Sequence, residues 1–249
     1  MQAQRYGILP INSDGIPDFD NLIYSHNVDD HSYPASTTKV LTALTALDHV
    51  SLQTSVTIIQ SDLVAGSGHN LQDGDVISVQ DLIINMMLPS SNIAAMALAR
   101  VAASAAGEDF ISLMNKKAAS LGMTSSRFIN PTGLPNSRQL TTARDLMLLG
   151  VAASKHPKLS NLWSLKSATL TITGSNARSI SVKSSFIDVK DRAWCIGGKS
   201  GTIVKWGYNL LCHVRLQNGY TGIAVILKTP SKKQRDIEMI SMVEYAKLL

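Results

Sequence analysis

Between Ser36 and Leu47 the chain reads Ser-Thr-Thr-Lys-Val-Leu-Thr-Ala-Leu-Thr-Ala-Leu, and Val40, Leu41, Ala43, Leu44, Ala46 and Leu47 fall nearly all round the circumference of a helix. A helix without a polar face is a buried one. Whatever this chain folds into must therefore wrap other elements around that helix, and Lys39 must go inside with it. A lysine on an apolar helix is costly if charged, so it is expected to be neutralised, paired or both. Ser36 stands at the mouth of the helix, its hydroxyl near the positive end of the dipole. Lys39, three residues on, projects from the same face one turn later. A neutral lysine beside a serine hydroxyl is a general base beside a nucleophile. Taken alone, the spacing more commonly marks a cap followed by a surface lysine.

Short strands and turns are expected before this helix: Arg5 to Ile11, a turn over Asn12 to Asp20, then Asn21 to His26. After it, Ser78 with Asp81 reads as a capping box for a helix through Met87 that Pro89 ends. Further helices are expected over Ile93 to Ala106 and over Glu108 to Leu121, the second closed by Gly122. After an Asn130-Pro131-Thr132-Gly133 turn, Thr141 or Thr142 caps a helix to about Ala153. From Lys166 the pattern changes to strands: Ala168 to Thr173, Ala193 to Lys199, Tyr208 to Leu216 and Thr221 to Lys228, the last two joined by a Gln217-Asn218-Gly219 hairpin turn. An amphipathic helix over about Lys232 to Leu249 would present Ile237, Ile240, Val243 and Leu248 on one side. Strands at both ends with helices between them predict an α+β fold: an antiparallel sheet flanked by terminal helices, beside an inserted helical lobe. The expected division is one domain over 1–249, with a sheet lobe from about 1–33 and 166–249, a helical lobe from about 34–165, and a site between them.

Composition narrows the function. At 45% hydrophobic and 16% charged residues the chain is no disordered segment or coiled coil. No apolar run reaches the roughly 18 residues of a transmembrane helix, the run from Ile93 to Ala99 being stopped by Arg100. No charged-then-apolar leader precedes the fold, so an export signal is expected to be missing from this chain. The net charge of +5 is divided unevenly, with three basic and ten acidic residues up to residue 100 and twenty and eight thereafter. The basic residues are scattered singly, without the clusters or interleaved aromatics of a nucleic-acid groove, and no nucleic-acid partner is expected. None of the six histidines shows H-E-x-x-H spacing, and Cys195 and Cys212 have no C-x-x-C spacing, so neither a metal nor another cofactor is called for. A cross-strand disulfide between those cysteines is one expectation; free thiols are the other. The stretch Ala193 to Ser200 misses a phosphate loop by its first glycine, and strand-like residues follow it where that loop needs a helix.

Two more elements bear on Ser36 and Lys39. Ser90-Ser91-Asn92 falls in the break between two helices, where polar side chains can point into a cleft or simply cap the second helix. Lys199-Ser200-Gly201-Thr202 ends a strand, with a glycine that lets the backbone approach a ligand closely; an ordinary strand end is the alternative. In order, S-x-x-K, S-x-N and K-[ST]-G form the motif set of penicillin-binding proteins and class A β-lactamases.

The chain resembles the low-molecular-mass penicillin-binding proteins, the D-alanyl-D-alanine carboxypeptidase and endopeptidase family of serine peptidases. The likeness extends over Pro34 to Thr42, Leu71 to Val79, Asp81 to Ala99, Phe128 to Leu134 and Thr141 to Leu149. It departs from the family in Ser200 where threonine is usual, in Ile93 where aspartate is common, and in Lys183 to Val189, which lacks the usual asparagines. Class C β-lactamases have a tyrosine in the second motif, where this chain has Ser90. Class A enzymes activate the deacylating water with a glutamate, and this chain has none between Glu108 and Glu238.

The resemblance implies a hydrolase without a cofactor that acts on peptidoglycan stem peptides ending in D-Ala-D-Ala, with β-lactam antibiotics as covalent inhibitors. It implies a role in cell-wall maintenance and cell shape, in the periplasm or extracytoplasmic envelope. Ser36 would be the nucleophile, Lys39 its base, Ser90 a proton relay, Asn92 an orienting group and Lys199 a source of positive charge. Ser200, Gly201 and Thr202 would bind substrate, and so would Arg235 unless it is only a surface arginine of the last helix. A carboxypeptidase is the expected activity. An endopeptidase that cleaves cross-links is the alternative, kept open because about fifty residues follow Lys199 and leave no room for an additional domain. A β-lactamase or a non-catalytic binding module ranks lower.

Overall fold

The computed structural model describes residues 1–248. In chain order, β1 (Arg5–Ile11) and β2 (Ile23–His26) lead to the central helix α1 (Thr38–Leu47). The short pair β3 (Ser55–Thr57) and β4 (Val76–Ser78) precedes five helices: α2 (Val79–Met87), α3 (Asn92–Ala106), α4 (Phe110–Ser120), α5 (Ala143–Lys155) and α6 (Pro157–Ser164). The hairpin β5 (Ser167–Ile172) and β6 (Arg178–Lys183) and the short α7 (Ile187–Lys190) follow. The chain returns to the sheet with β7 (Cys195–Ile203), β8 (Gly207–Arg215) and β9 (Thr221–Thr229), and ends in α8 (Lys232–Ala246). The main sheet has the order β2-β1-β9-β8-β7, antiparallel throughout. The expected α+β architecture is the one observed. No helix among the described residues is long and apolar enough to cross a membrane.

The sheet is buried on both faces, which is why its inner strands read as continuous apolar runs. Along β9, Ile223, Val225 and Leu227 enter the core shared with the helices, while Ala224 and Ile226 enter a second core under α8. This is the period-two alternation of a strand with an apolar partner on each side. All ten residues of α1 are buried, Lys39 among them, with α2, α3, α4 and α5 packed around it. The Gln217–Gly219 turn has positive φ at Asn218 (55°) and Gly219 (78°), as a two-residue hairpin turn with right-handed twist requires.

Three local expectations are corrected. The strand expected at Ala168 to Thr173 exists, but it pairs with β6, bridges β4 at Thr173 and packs on α2, so residues 167–183 belong beside the helices rather than in the main sheet. Arg178 fastens this hairpin there through a bidentate pair with buried Asp75, both contacts 2.6 Å. Ser78 accepts from Asp81 N at 3.0 Å, but the Asp81 carboxylate accepts from Thr171 N instead of closing a capping box. Helix α8 turns Met239, Met242, Val243 and Ala246 inward and leaves Ile237 and Leu248 exposed at 45% and 79%. Val243 faces inward as expected and Ile240 packs partly against the same core, while Met239 and Met242 take the places expected of Ile237 and Leu248; Leu249, the expected end of this helix, lies outside the described residues. Cys195 and Cys212 are free thiols: a bulge pairs Cys195 with Val214 and Cys212 with Gly198, so they are not opposite one another.

Helix α5 touches the sheet through Gly150, where a β-carbon would lie 2.5 Å from Ile223 Cγ2 and 3.1 Å from Leu211 Cδ1. Gly150→Ala should therefore destabilise the protein by about 1–3 kcal/mol through overpacking, despite the better helix propensity of alanine. Urea unfolding checks this; an unchanged or raised midpoint would contradict the close packing.

Candidate active site

Ser36 lies in a single 3-10 turn, Ala35–Thr37, that leads into α1. The turn is strained: Ala35 has φ 51°, a left-handed conformation that costs an alanine about 1–2 kcal/mol. Two glycines press against it. A β-carbon on Gly133 would stand 2.0 Å from the Ala35 carbonyl oxygen, and one on Gly201 would stand 2.9 Å from the Pro34 carbonyl oxygen and 3.1 Å from Ser36 N. The turn before α5 and the edge strand β7 thus hold the serine from two sides.

One turn on, Lys39 is fully buried, and its Nζ has three polar neighbours: Ser36 Oγ at 3.0 Å, Asn92 Oδ1 at 2.8 Å and the Thr132 carbonyl oxygen at 2.5 Å. The last two can only accept. A neutral amine has two N–H donors, which satisfy them, and keeps one lone pair facing the Ser36 hydroxyl. Burial pushes the Lys39 pKa well below its ordinary 10.5, and repulsion from Lys199 pushes it further the same way. Geometry and electrostatics both favour the form that can take a proton from Ser36.

The helix break delivers the second group. Ser91 caps α3, its Oγ accepting from Ala94 N at 3.2 Å and donating to the Gly68 carbonyl at 3.0 Å. That releases both neighbours. Asn92 faces Lys39 and donates through Nδ2 to the Ala65 carbonyl at 2.8 Å. Ser90 has φ 68°, a left-handed conformation of the kind that clusters at functional sites, and its Oγ accepts from Lys199 Nζ at 3.0 Å. Lys199 Nζ also donates to the Ser200 carbonyl at 2.9 Å. Burial lowers the Lys199 pKa to about 7, helped by the charges of Arg235 and Lys190.

Ser36 opens into a two-part cleft. The outer part, about 240 Å³, has Asn92, Thr132, Leu134, Thr202 and Val204 on its walls; the inner part, about 90 Å³, is ringed by Ser67, Ser90, Ser185, Ser200 and Thr202. Eight of the nine residues singled out in the sequence converge here or directly behind it. Arg235 does not line the cleft. It is 1% exposed, donates through Nε to Asp236 Oδ1 at 2.8 Å, and reaches the site through its charge on Lys199. Sequence reasoning missed three contributors. Thr132 and Gly133 were legible only as a turn, and Gly66-Ser67 carried no signal toward the site, although a β-carbon on Gly66 would fall 2.1 Å from Asn92 Nδ2. Ser185 carried no sequence signal at all.

A buried lysine beside a serine at a helix mouth, with a second lysine and serine across the cleft, sets a hydroxyl next to an amine that burial disposes to take its proton. Residues 18–231 match the D-alanyl-D-alanine carboxypeptidase family, and the chain belongs to it. It is 27% identical across 98% of its length to D-alanyl-D-alanine carboxypeptidase DacA of Haemophilus influenzae, and 32% identical across 84% of its length to the D-alanyl-D-alanine endopeptidase of the same organism, covering 72% of that protein. The chain spans 38–61% of the length of the first curated relatives it matches. The crystal structure of the Streptomyces K15 DD-transpeptidase superposes with a TM-score of 0.88 at 25% identity, over 100% of this chain and 98% of that one.

Proposed function

We propose that this protein is a serine D-alanyl-D-alanine carboxypeptidase acting on peptidoglycan stem peptides in the cell envelope, its sheet and helical lobes forming one peptidase domain with the cleft between them. The observation that carries this reading is the Lys39 amine, with two acceptors for its two protons and a lone pair left for Ser36. Ser36 Oγ attacks the carbonyl carbon between the two D-alanines while its proton passes to Lys39 Nζ. The backbone amides of Ser36 and Thr202 receive the developing oxyanion, each such donor being worth about 3 kcal/mol in other enzymes. The C–N bond then breaks. Ser90, whose oxygen accepts from Lys199 and whose own proton is therefore free, donates to the leaving amine and recovers a proton from the Lys39 ammonium. Departure of D-alanine admits water, which Lys39 activates to hydrolyse the ester.

The terminal carboxylate fits the inner cleft, with hydroxyls from Ser200 and Thr202, Lys199 at its back, and Arg235 deeper still. Asn92 orients both Lys39 and the peptide. β-Lactams enter the same reaction, but their leaving group stays tethered and obstructs the water, so the adduct is long-lived. Cleavage of cross-links is the second reading, favoured by the relatives named endopeptidases. Both readings use the same residues.

Chromatography of treated sacculi tests the proposal. Released D-alanine with cross-links intact is the carboxypeptidase result, and loss of cross-links the endopeptidase one. Ser36→Ala should abolish both products and the stable penicillin adduct seen by mass spectrometry; labelling that survives the substitution would sink the assignment.

The two lysines should respond differently to pH and to arginine. Lys39→Arg should abolish acylation, since arginine keeps its proton. Lys199 attracts the carboxylate only when charged, so kcat/KM should fall as pH rises through its pKa of about 7. Lys199→Arg should retain part of the rate and lose that alkaline decline. Equal loss in both variants, or an alkaline limb that persists in Lys199→Arg, would contradict the division into base and charge.

A further inference from the structure

Ser185 has no part in the scheme above, yet its side chain stands on the inner cleft wall with Oγ 2.6 Å from Ser200 Oγ. Its position is built. Ser185 N donates to the Leu88 carbonyl at 3.2 Å and Ser184 N to the Lys166 carbonyl at 2.8 Å, so the segment before α7 is tied to the helix break that presents Ser90. The same few residues therefore fix Ser90 and Ser185 on one side of the cleft, with Ser200 arriving from β7 on the other.

A serine hydroxyl has one proton and two lone pairs, and its unbranched side chain turns among three staggered wells. A threonine at the same place would be restrained by its γ-methyl. Ser200 lacks that restraint. When Ser185 donates to Ser200 Oγ, one lone pair of Ser200 is occupied and the Ser200 proton is left for the cleft. A carboxylate, which only accepts, is the ligand such an arrangement serves.

Resting on the function proposed above, we infer that Ser185 is a positioning residue of the carboxylate pocket, its hydroxyl holding Ser200 Oγ so that the Ser200 proton points at the carboxylate of the substrate's terminal residue. Ser185 and Ser200 together do what a single threonine would do by its own branching. The segment from Lys183 to Val189 thereby has a role in specificity.

The test uses an Nα-acylated peptide ending in D-alanyl-D-alanine and its C-terminal amide. Ser185→Ala should raise KM for the free acid by roughly five- to tenfold, the size of one neutral hydrogen bond, with kcat nearly unchanged. The loss should be smaller on the amide, whose neutral carbonyl oxygen accepts more weakly than a carboxylate. Adding Ser200→Thr to Ser185→Ala should restore the KM, which a merely structural role for Ser185 would not allow. An unchanged KM in Ser185→Ala, a loss confined to kcat, or a loss that Ser200→Thr fails to restore would overturn the assignment while leaving the peptidase reading intact. A wild-type protein that releases neither D-alanine from the acid nor D-alaninamide from the amide would overturn the peptidase reading, and Ser185's role with it.

Discussion

The structure depends on the burial of one amine. Carrying a charged lysine into an apolar core costs several kcal/mol even after relaxation, and α1 carries Lys39 there with all ten of its residues covered. The core tolerates this because burial favours the neutral amine, whose polar atoms are then matched, two donors to Asn92 and Thr132 and a lone pair to Ser36. The feature that makes the residue tolerable inside the protein also suits it to the role of base proposed for it. Stability and chemistry have the same origin here.

Around that amine the fold acts as a clamp. The helix break places Asn92 against Lys39 only because Ser91 takes over the capping of α3. The Asn130–Gly133 turn places Thr132 against the same nitrogen, with Asn130 Oδ1 accepting from Thr132 N at 3.2 Å and Gly133 N at 2.8 Å. Edge strand β7 lies close enough to the turn carrying Ser36 that only glycine fits at 201. Lys199 then sits behind Ser90 on the same strand, lowering the Lys39 pKa by its charge. Arg235, from the far side of the sheet, lowers the Lys199 pKa in turn. Two buried basic groups in series, Arg235 and Lys199, thus favour the uncharged form of Lys39.

Much of this was legible in the sequence because burial imposes periodicity. The apolar circumference of α1, the capping serines and threonines, the Asn218-Gly219 turn and the doubly buried β9 all leave local patterns, and they recover the α+β order. The motif residues Ser36, Lys39, Ser90, Asn92 and Lys199 were recoverable through the resemblance that their three ordered motifs carry; the local signals beside them, a helix mouth, a helix break and a strand with glycine, read equally well as caps and a strand end. What was not legible depends on contacts between distant segments. Nothing near Gly66 announces that it must clear Asn92, and nothing near Ser185 announces Ser200. The hairpin at 167–183 read as part of the main sheet because a strand's pattern does not name its partner. The face of α8 was misread because Met239 and Met242, flexible side chains, fill the gap against the sheet that the β-branched isoleucines were expected to fill.

The central claim is that Lys39 is neutral because it is buried and because Lys199 repels its proton. The direct measurement is an NMR titration of lysine-labelled protein, with the Lys39 signal assigned by its disappearance in Lys39→Arg. The account predicts that the Lys39 amine titrates well below 10.5, and that neutralising its neighbour with Lys199→Ala moves the titration upward. A Lys39 amine that titrates near 10.5, or one indifferent to Lys199→Ala, would contradict it.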